Sequence, residues 1–439
     1  MPRVVVVGGG PAGMAAAARL AKQRHDVVLC ERADGLGGAM RPVQADGWSW
    51  DGGPATTTVP AVLRDLFRKT GRPLERELEL APVPSPRRHH FEDGTVLDLP
   101  TTGRGRQLDA LVPFFGARAA SGWMSVVDRQ RDVWDVLRRR ALEVPFDGCA
   151  SLTRPEHRVL RQRLTLHRLA RRELADARLR ALLLHPTVLA GSDPRTTPAL
   201  VGVDAYLERT FGIWRPTGGM SALVDALTAR LTTRRVDVRR ATAVARIDTG
   251  AGRAGGVLLT DGTELPADIV IAAIDPRAVF PMLGLPLPAW LRDTTPVRPP
   301  AVTHLGLGPG APDLPFETIV HGRPLLVVRR EEPRACTVLV RGALERDVLA
   351  ELAGRGLDLR PHVTVRVDRS PAELIDASGG SPYGVAWQGA RTASQQPRPG
   401  TPVNGVHCIG ASAHPGAGLP LVALGAAQCA AAVTSRPVL

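Results

Sequence analysis

The sequence predicts an α/β fold: a Rossmann-like, doubly wound dinucleotide-binding domain into which a mixed α+β domain is inserted. Three observations carry that expectation. The run Val4-Val5-Val6-Val7 passes directly into Gly8-Gly9-Gly10-Pro11-Ala12-Gly13. A second apolar stretch, Val27-Val28-Leu29, ends on the acidic Glu31. Near the C-terminus another glycine-rich segment, Gly410-Ala411-Ser412-Ala413-His414-Pro415-Gly416-Ala417-Gly418-Leu419-Pro420, follows a short apolar run.

Taken in order, residues 2–7 read as a strand, 8–13 as a tight turn and 14–23 as an alanine-rich helix. Residues 26–31 form the second strand of a βαβ unit, which requires parallel pairing. The texture changes after Pro54. Residues 59–215 carry helical patterns and one hairpin, 88–91 and 96–99 around Glu92-Asp93-Gly94-Thr95. A helix is expected from Gly218-Gly219-Met220 to Leu231. Strands at 236–238, 243–247, 256–260 and 269–274 follow, with a turn at Thr260-Asp261-Gly262-Thr263. Residues 279–401 are mixed and rich in Pro and Gly; a strand at 406–409 and a helix at 422–433 close the chain. The nucleotide-binding domain is expected to comprise 1–58, 216–278 and 402–439, and the inserted domain 59–215 and 279–401.

Composition narrows the functional classes. Hydrophobic residues make up 44% and charged residues 23% of the 439, the balance of a globular chain. No apolar run reaches the roughly 18 residues of a spanning helix. Three consecutive glycines interrupt the N-terminal apolar stretch, so it is not a signal peptide, and a cytoplasmic location is expected. The formal charge is +13. Lys22 and Lys69 are the only lysines, so arginine supplies the other 54 of 56 basic side chains; this is codon bias rather than a nucleic-acid surface. No basic cluster is interleaved with aromatics, as base stacking requires, so no nucleic-acid partner is expected. The five cysteines show no metal or CxxC spacing and read as reduced, buried thiols. No metal site is expected.

The first glycine segment has a mechanical reading. Gly8 permits the turn, Gly10 lets backbone approach a pyrophosphate, and Gly13 lets helix pack on strand. Pro11 and Ala12 complete the loop, and the helix N-terminus turns its N–H groups on the phosphates. Glu31, followed by Arg32, stands where a carboxylate accepts hydrogen bonds from an adenosine ribose. Next come Gly37-Gly38, Arg41 and Asp46-Gly47-Trp48-Ser49-Trp50-Asp51-Gly52-Gly53-Pro54. These are either surface turns or a second phosphate-contacting loop, with Arg41 near the pyrophosphate and Gly52-Gly53, followed by Pro54, where backbone meets a flavin ring edge.

These segments, with Pro216-Thr217-Gly218-Gly219-Met220 and Gly410–Pro420, occur in the same order as in the bacterial phytoene desaturase family, within the amine oxidase superfamily. The resemblance touches nearly the whole chain, and two softer matches are Gly191-Ser192-Asp193-Pro194 and Tyr383-Gly384. It implies a flavoprotein of the two-dinucleotide-binding type with non-covalent FAD. Gly410, Ala411, His414, Gly418, Leu419 and Pro420 would border the isoalloxazine, and Val244 would lie against the adenine. A helix opening at Leu419-Pro420 would aim its positive end at the flavin N1/O2 edge.

The activity implied is removal of two hydrogens from adjacent carbons of an apolar polyene, isoprenoid or polyketide-like substrate, with hydride passing to flavin N5. A polyene isomerase or saturase on the same scaffold is the alternative. A prenyl-lipid carrier without FAD and an amine oxidase rank lower. Amine oxidases of this superfamily generally place a lysine near N5, and none follows Lys69. The chain is shorter than typical phytoene desaturases, which favours a smaller polyene or polyketide-like metabolite. Oxygen and a quinone are both open as electron acceptors, and the oligomeric state is unassigned.

Other residues weigh less. His414 is the only ionisable group in the second glycine segment; it is a weak catalytic candidate, and a structural role fits it better. His89-His90 fall in the hairpin, and Trp48 and Trp50 suit either a cavity wall or the core. The segment 154–180 holds nine arginines against three acidic residues. It is expected to be a half-buried helix with solvated arginines, peripheral membrane contact being its other reading.

Overall fold

The computed structural model describes residues 2–435 except 85, 145, 147 and 396–399. At its centre lies a five-stranded parallel sheet in the order Val406–Cys408, Ile269–Ala272, Arg3–Val7, Asp26–Cys30, Asp237–Arg239. Side chains alternate across a strand, and both faces of this sheet are covered. Val4 and Val6 face the helices Pro11–Lys22, Gly219–Thr233 and Leu419–Ser435. Val5 and Val7 face the antiparallel sheet Val244–Gly250, Arg253–Leu259, Glu264–Pro266. Burial on both sides explains four successive valines where a half-exposed strand would alternate. Ala15 to Ala18 are fully buried; their small side chains let the first helix pack closely against the last.

The second large sheet has seven strands in the order Val363–Arg369, Ala301–Leu307, Ala335–Arg341, Leu325–Glu332, Glu317–Val320, Arg87–His90, Val96–Leu99. It is antiparallel except where Glu317–Val320 meets Arg87–His90 in parallel. A helical layer contains Arg104–Leu137, whose core side chains include Trp123, Met124 and Val127. Pro113 and the non-helical Gly116 (φ 76°) break this helix near its start. Within Arg104–Leu142 one 18-residue window reaches a mean hydropathy of 1.2, so by length and composition alone this helix could cross a bilayer. One side of it nevertheless forms the core of the helical layer.

Several local expectations change. The first helix starts at Pro11, not residue 14, because proline suits the first helical position. Val43–Ala45 and Trp48–Trp50 pair as a hairpin around Asp46-Gly47, both at positive φ; the Asp-Gly pair supplies that turn. The single arginine-rich helix is instead three: Arg154–Leu160, Leu166–Glu173 and Ala177–Leu189. Arg161 in the left-handed region ends the first, and Thr165 and Asp176 cap the next two. Cys30, Cys336, Cys408 and Cys429 are buried free thiols; the side chain of Cys149 lies outside the described residues.

Candidate functional site

The two glycine segments meet at the C-terminal ends of the parallel strands, over Ala273. A Cβ on Gly8 would lie 2.9 Å from the Ala273 carbonyl oxygen, and one on Gly410 would lie 4.0 Å from it. In an open parallel sheet this is where ligands bind.

Each glycine of the first loop has a distinct constraint. At Gly13 a Cβ would sit 1.9 Å from the Gly8 carbonyl oxygen, so helix and turn are in direct backbone contact. Gly10 is the reverse: its Cβ would meet only the Gly38 Cα, at 3.9 Å. The Gly37 N–H donates to the Gly9 carbonyl at 2.9 Å, seating the Gly37-Gly38 pair against the first loop. No side chain caps the first helix, and Pro11 occupies its first turn. The N–H groups of Ala12 and Gly13 are therefore at a helix end that lacks intrahelical acceptors.

Glu31 is clamped at the end of its strand. One carboxylate oxygen accepts the Gly9 N–H at 2.6 Å and the other accepts the Ala33 N–H at 2.9 Å. Each oxygen keeps a further lone pair for a ligand hydroxyl. Backbone bonds from Ala241 to Ala33 and from Thr242 to Glu31, each 2.8 Å, bring the start of strand Val244–Gly250 beside it. Val244 itself is buried among core side chains.

The other expected cofactor residues are placed less directly. Arg32 donates to the Asp376 carbonyl, at the end of helix Pro371–Ser378. Arg41 pairs with Asp34 at 2.7 Å, so an incoming phosphate would compete with a carboxylate. Gly52 and Gly53 are required by chain-to-chain approach: a Cβ on either would lie 2.1 Å from the Arg41 oxygen or 2.2 Å from the Ala39 oxygen. Pro54 follows, half-buried.

In the second segment Gly418 (φ 110°) has no atom within 4 Å of an added Cβ, and helix Leu419–Ser435 begins immediately after it, with Pro420 in its first turn. Ala411 receives Gly384: a Cβ there would be 2.3 Å from the Ala411 oxygen. The Tyr383-Gly384 segment thus packs on the second glycine segment. His414 is buried; its Nε2 lies 2.9 Å from the Ala141 carbonyl and its ring stacks on Phe146. That bond requires a proton on Nε2 and anchors the segment to the turn after the long helix.

Gly10, Gly410 and Gly418, where an added Cβ would meet nothing closer than 3.9 Å, form with two helix N-termini a cradle that side chains would fill. Its donors are backbone N–H groups, the chemistry that a dinucleotide pyrophosphate needs, so the residues present fit a flavin dinucleotide.

A buried polar junction that the sequence reading missed is built around Asp51, the residue before Gly52-Gly53 in the chain. Asp51 accepts the Met220 N–H at 2.8 Å, at the start of helix Gly219–Thr233, and sits 3.4 Å from Arg215. Its own N–H donates to Glu331 at 2.6 Å; the other Glu331 oxygen is 2.7 Å from the Thr337 hydroxyl, which lies 2.9 Å from His304 Nδ1. Burial, reinforced by the Asp51 charge, pushes the Glu331 pKa up to about 7, and burial pulls that of His304 down to about 4. Trp50 packs on His304 and donates to the Leu305 carbonyl, so it belongs to this junction's core. His89 is also buried, 2.9 Å from His321 and packed on His185, and burial first, then its neighbours, keeps it neutral.

The chain matches the family of flavin-containing amine oxidoreductases over residues 11–306. It is 30% identical to hydroxyneurosporene desaturase of Cereibacter sphaeroides, over 99% of this chain and 97% of that protein. It is 32% identical to phytoene dehydrogenase of Streptomyces griseus, over 73% of this chain and 63% of that one. Among solved structures, putrescine oxidase bound to putrescine aligns over 99% of both chains with a TM-score of 0.72 at 18% identity, a likeness of fold.

Proposed function

The chain belongs to the flavin-containing amine oxidoreductase family, with the bacterial carotenoid desaturases as its relatives, and from that premise we propose an FAD-dependent desaturase acting on an apolar polyene or a related isoprenoid or polyketide-like substrate. The observation that carries the reading is the meeting of the two glycine segments over Ala273, with Glu31 fixed beside the first. Bound FAD would supply the acceptor for the two hydrogens that leave adjacent carbons.

The chain's own residues bind, orient and exclude water. The N–H groups near Gly10 to Gly13 would hold the pyrophosphate, and the spare lone pairs of Glu31 would take the ribose hydroxyls. The first turn of helix Leu419–Ser435 would offer its positive end to the flavin. His414 holds that segment in place through the Ala141 carbonyl, as a positioning residue. An apolar substrate offers no charge to grip, so dryness and shape do most of the orienting.

The test is anaerobic incubation of purified, yellow holoenzyme with a polyene. A desaturase bleaches its flavin in step with product. Turnover without bleaching would establish the isomerase reading instead, bleaching by a polyamine alone would establish amine oxidation, and a colourless protein that FAD does not stabilise would establish the carrier.

Peripheral contact with a membrane belongs to the same proposal, and the arginine-rich segment is not its best site. The broken turn of helix Arg104–Leu137 exposes Val112 (36%) and Phe114 (42%), with Arg104, Arg106 and Arg118 exposed on the same stretch. Exposed apolar side chains on a stretch whose arginines outnumber its one acidic residue, Asp109, suit an anionic bilayer. Phe114→Asp is expected to lower co-flotation with vesicles of anionic phospholipid by about tenfold; unchanged flotation would remove this contact.

A further inference from the structure

Two runs of contact join the junction around Asp51 to the glycine cradle. Along the chain, Gly52 and Gly53 follow Asp51, and a Cβ on Gly53 would lie 2.2 Å from the Ala39 oxygen. Ala39 belongs to the turn Gly38–Met40, and a Cβ on Gly38 would lie 3.1 Å from the Gly10 Cα. Through space, Asp51 accepts the Met220 N–H at the start of helix Gly219–Thr233, and Val224 of that helix lies 3.0 Å from the Cβ direction of Gly37. Both runs end on Gly37-Gly38, whose Gly37 N–H donates to the Gly9 carbonyl at 2.9 Å. These contacts are all with backbone or short side chains, so a shift of Asp51 is passed on to the Gly38 side of the cradle.

The far side of the junction is the seven-stranded sheet. Trp50 packs on His304, and a Cβ on Gly306 would lie 2.6 Å from Trp48, so the hairpin before Asp51 lies on strand Ala301–Leu307. The chain Glu331–Thr337–His304 continues from there at 2.7 and 2.9 Å. One hydroxyl proton on Thr337 serves two neighbours, so this chain has two directions. With Glu331 protonated, Glu331 donates to Thr337 and Thr337 donates to His304 Nδ1, which leaves the imidazole proton on Nε2. With Glu331 ionised, Thr337 donates to Glu331 and His304 Nδ1 carries the proton. Burial keeps the imidazole neutral, and Nε2 is buried with no partner among the described residues. The tautomer of His304 therefore records the charge on Glu331.

The groups facing Glu331 do not offset a second charge there. Arg215 pairs with Asp51 and also donates to the Glu331 main-chain carbonyl. Arg329 and Arg330 are engaged by Glu317 and Asp313. Burial pushes the Cys336 thiol up to about 12, so it stays neutral. An ionised Glu331 thus repels the Asp51 carboxylate in a buried setting. The relief is for Asp51 to draw away from the sheet, taking Gly52 and Gly53 with it.

We propose that Glu331 is a positioning residue for the flavin: its protonated form holds Asp51 and the Gly52-Gly53 turn against the cradle, so that this proton and the cofactor bind cooperatively. The inference rests on the flavin-binding part of the proposed function and adds a residue 280 positions from the loop it acts on.

The test is the FAD affinity of the holoenzyme, followed by flavin fluorescence on dilution at pH 6 and pH 9. Wild type is expected to bind about three- to tenfold more weakly at pH 9, the range of a modest coupling between two sites. Glu331→Gln, which reproduces the protonated form, is expected to bind equally at both. Thr337→Val removes the hydroxyl that supports the ionised carboxylate, so its loss of affinity is expected at a higher pH than in wild type. In holoenzyme labelled with 15N-histidine, the His304 signal, assigned by its loss in His304→Gln, is expected to pass from the Nε2–H to the Nδ1–H pattern as pH rises. A pH dependence that Glu331→Gln leaves unchanged, a midpoint that Thr337→Val does not move, or a His304 tautomer indifferent to pH overturns the proposal. Wild type that binds no FAD at either pH would remove the flavoprotein reading itself, and this role with it.

Discussion

Gly10→Val is expected to leave a folded protein without flavin, whereas Gly13→Ala is expected to damage the fold itself. The two glycines are three residues apart in one loop, yet their surroundings differ in kind. Gly10 has φ −74° and ψ −180°, a conformation open to any residue. Its Cβ direction leads only to the Gly38 Cα at 3.9 Å. The extra methyl groups of valine would enter the cradle, where the pyrophosphate is proposed to lie. At Gly13 the nearest atoms to an added Cβ are the Gly8 oxygen at 1.9 Å, the Gly8 carbon at 3.1 Å and Ala273 Cβ at 3.2 Å. All three belong to backbone or to a short fixed side chain, so the first helix must move off the sheet. Overpacking of this severity costs about 3 kcal/mol or more, a large share of the roughly 5–15 kcal/mol that holds a domain together. Flavin absorbance and denaturant midpoints separate the two outcomes. The comparison must use flavin-free wild type, because bound cofactor stabilises by mass action. Retained flavin in Gly10→Val would remove the phosphate loop from its proposed place.

That contrast also shows what was legible from the chain alone. Local chemistry could be read: the four valines, the buried alanines, the hairpin at 87–99 and the helix opening at Leu419 all follow from nearest-neighbour patterns. The functional roles of glycines were harder, because one residue type answers two demands. Gly13, Gly52 and Gly53 make room for other parts of the chain, while Gly10 and Gly418 border open space, and spacing alone cannot tell these apart. The arginine-rich segment misled because its charge pattern hid the breaks, although Thr165 and Asp176 are ordinary helix caps. The polar junction was out of reach for a further reason. Glu331 sits in the run Arg329-Arg330-Glu331-Glu332, which reads as a solvated edge. Only the tertiary pairing with Asp51, 280 residues away, buries it.

Glu331→Gln is expected to make the protein more stable than wild type above pH 7 and about equal to it near pH 5. Two carboxyl groups meet at this junction, and they are not equivalent. Burial raises the Asp51 pKa as well, but the Met220 N–H and Arg215 work against that shift and support a charge. One Glu331 oxygen receives the Asp51 N–H and the other lies 2.7 Å from the Thr337 hydroxyl, which donates to it only when Glu331 is ionised; burial and the Asp51 charge disfavour that ionised form. Glu331 is therefore the group that holds the proton, which it can donate to Thr337 while Thr337 donates to neutral His304. Its pKa rises from 4.5 to about 7 on folding, so between those values the folded state binds more proton than the unfolded state. Stability then falls as pH rises through this window, by up to about 3 kcal/mol at 1.36 kcal/mol per pH unit. Glutamine reproduces the protonated form: its oxygen accepts the Asp51 N–H, its amide donates to Thr337, and it never ionises. Denaturant midpoints of both proteins at pH 5 and pH 8 isolate the effect, because every other titrating group is common to the pair. A difference between the two proteins that is the same at both pH values would show that Glu331 does not change charge in that window.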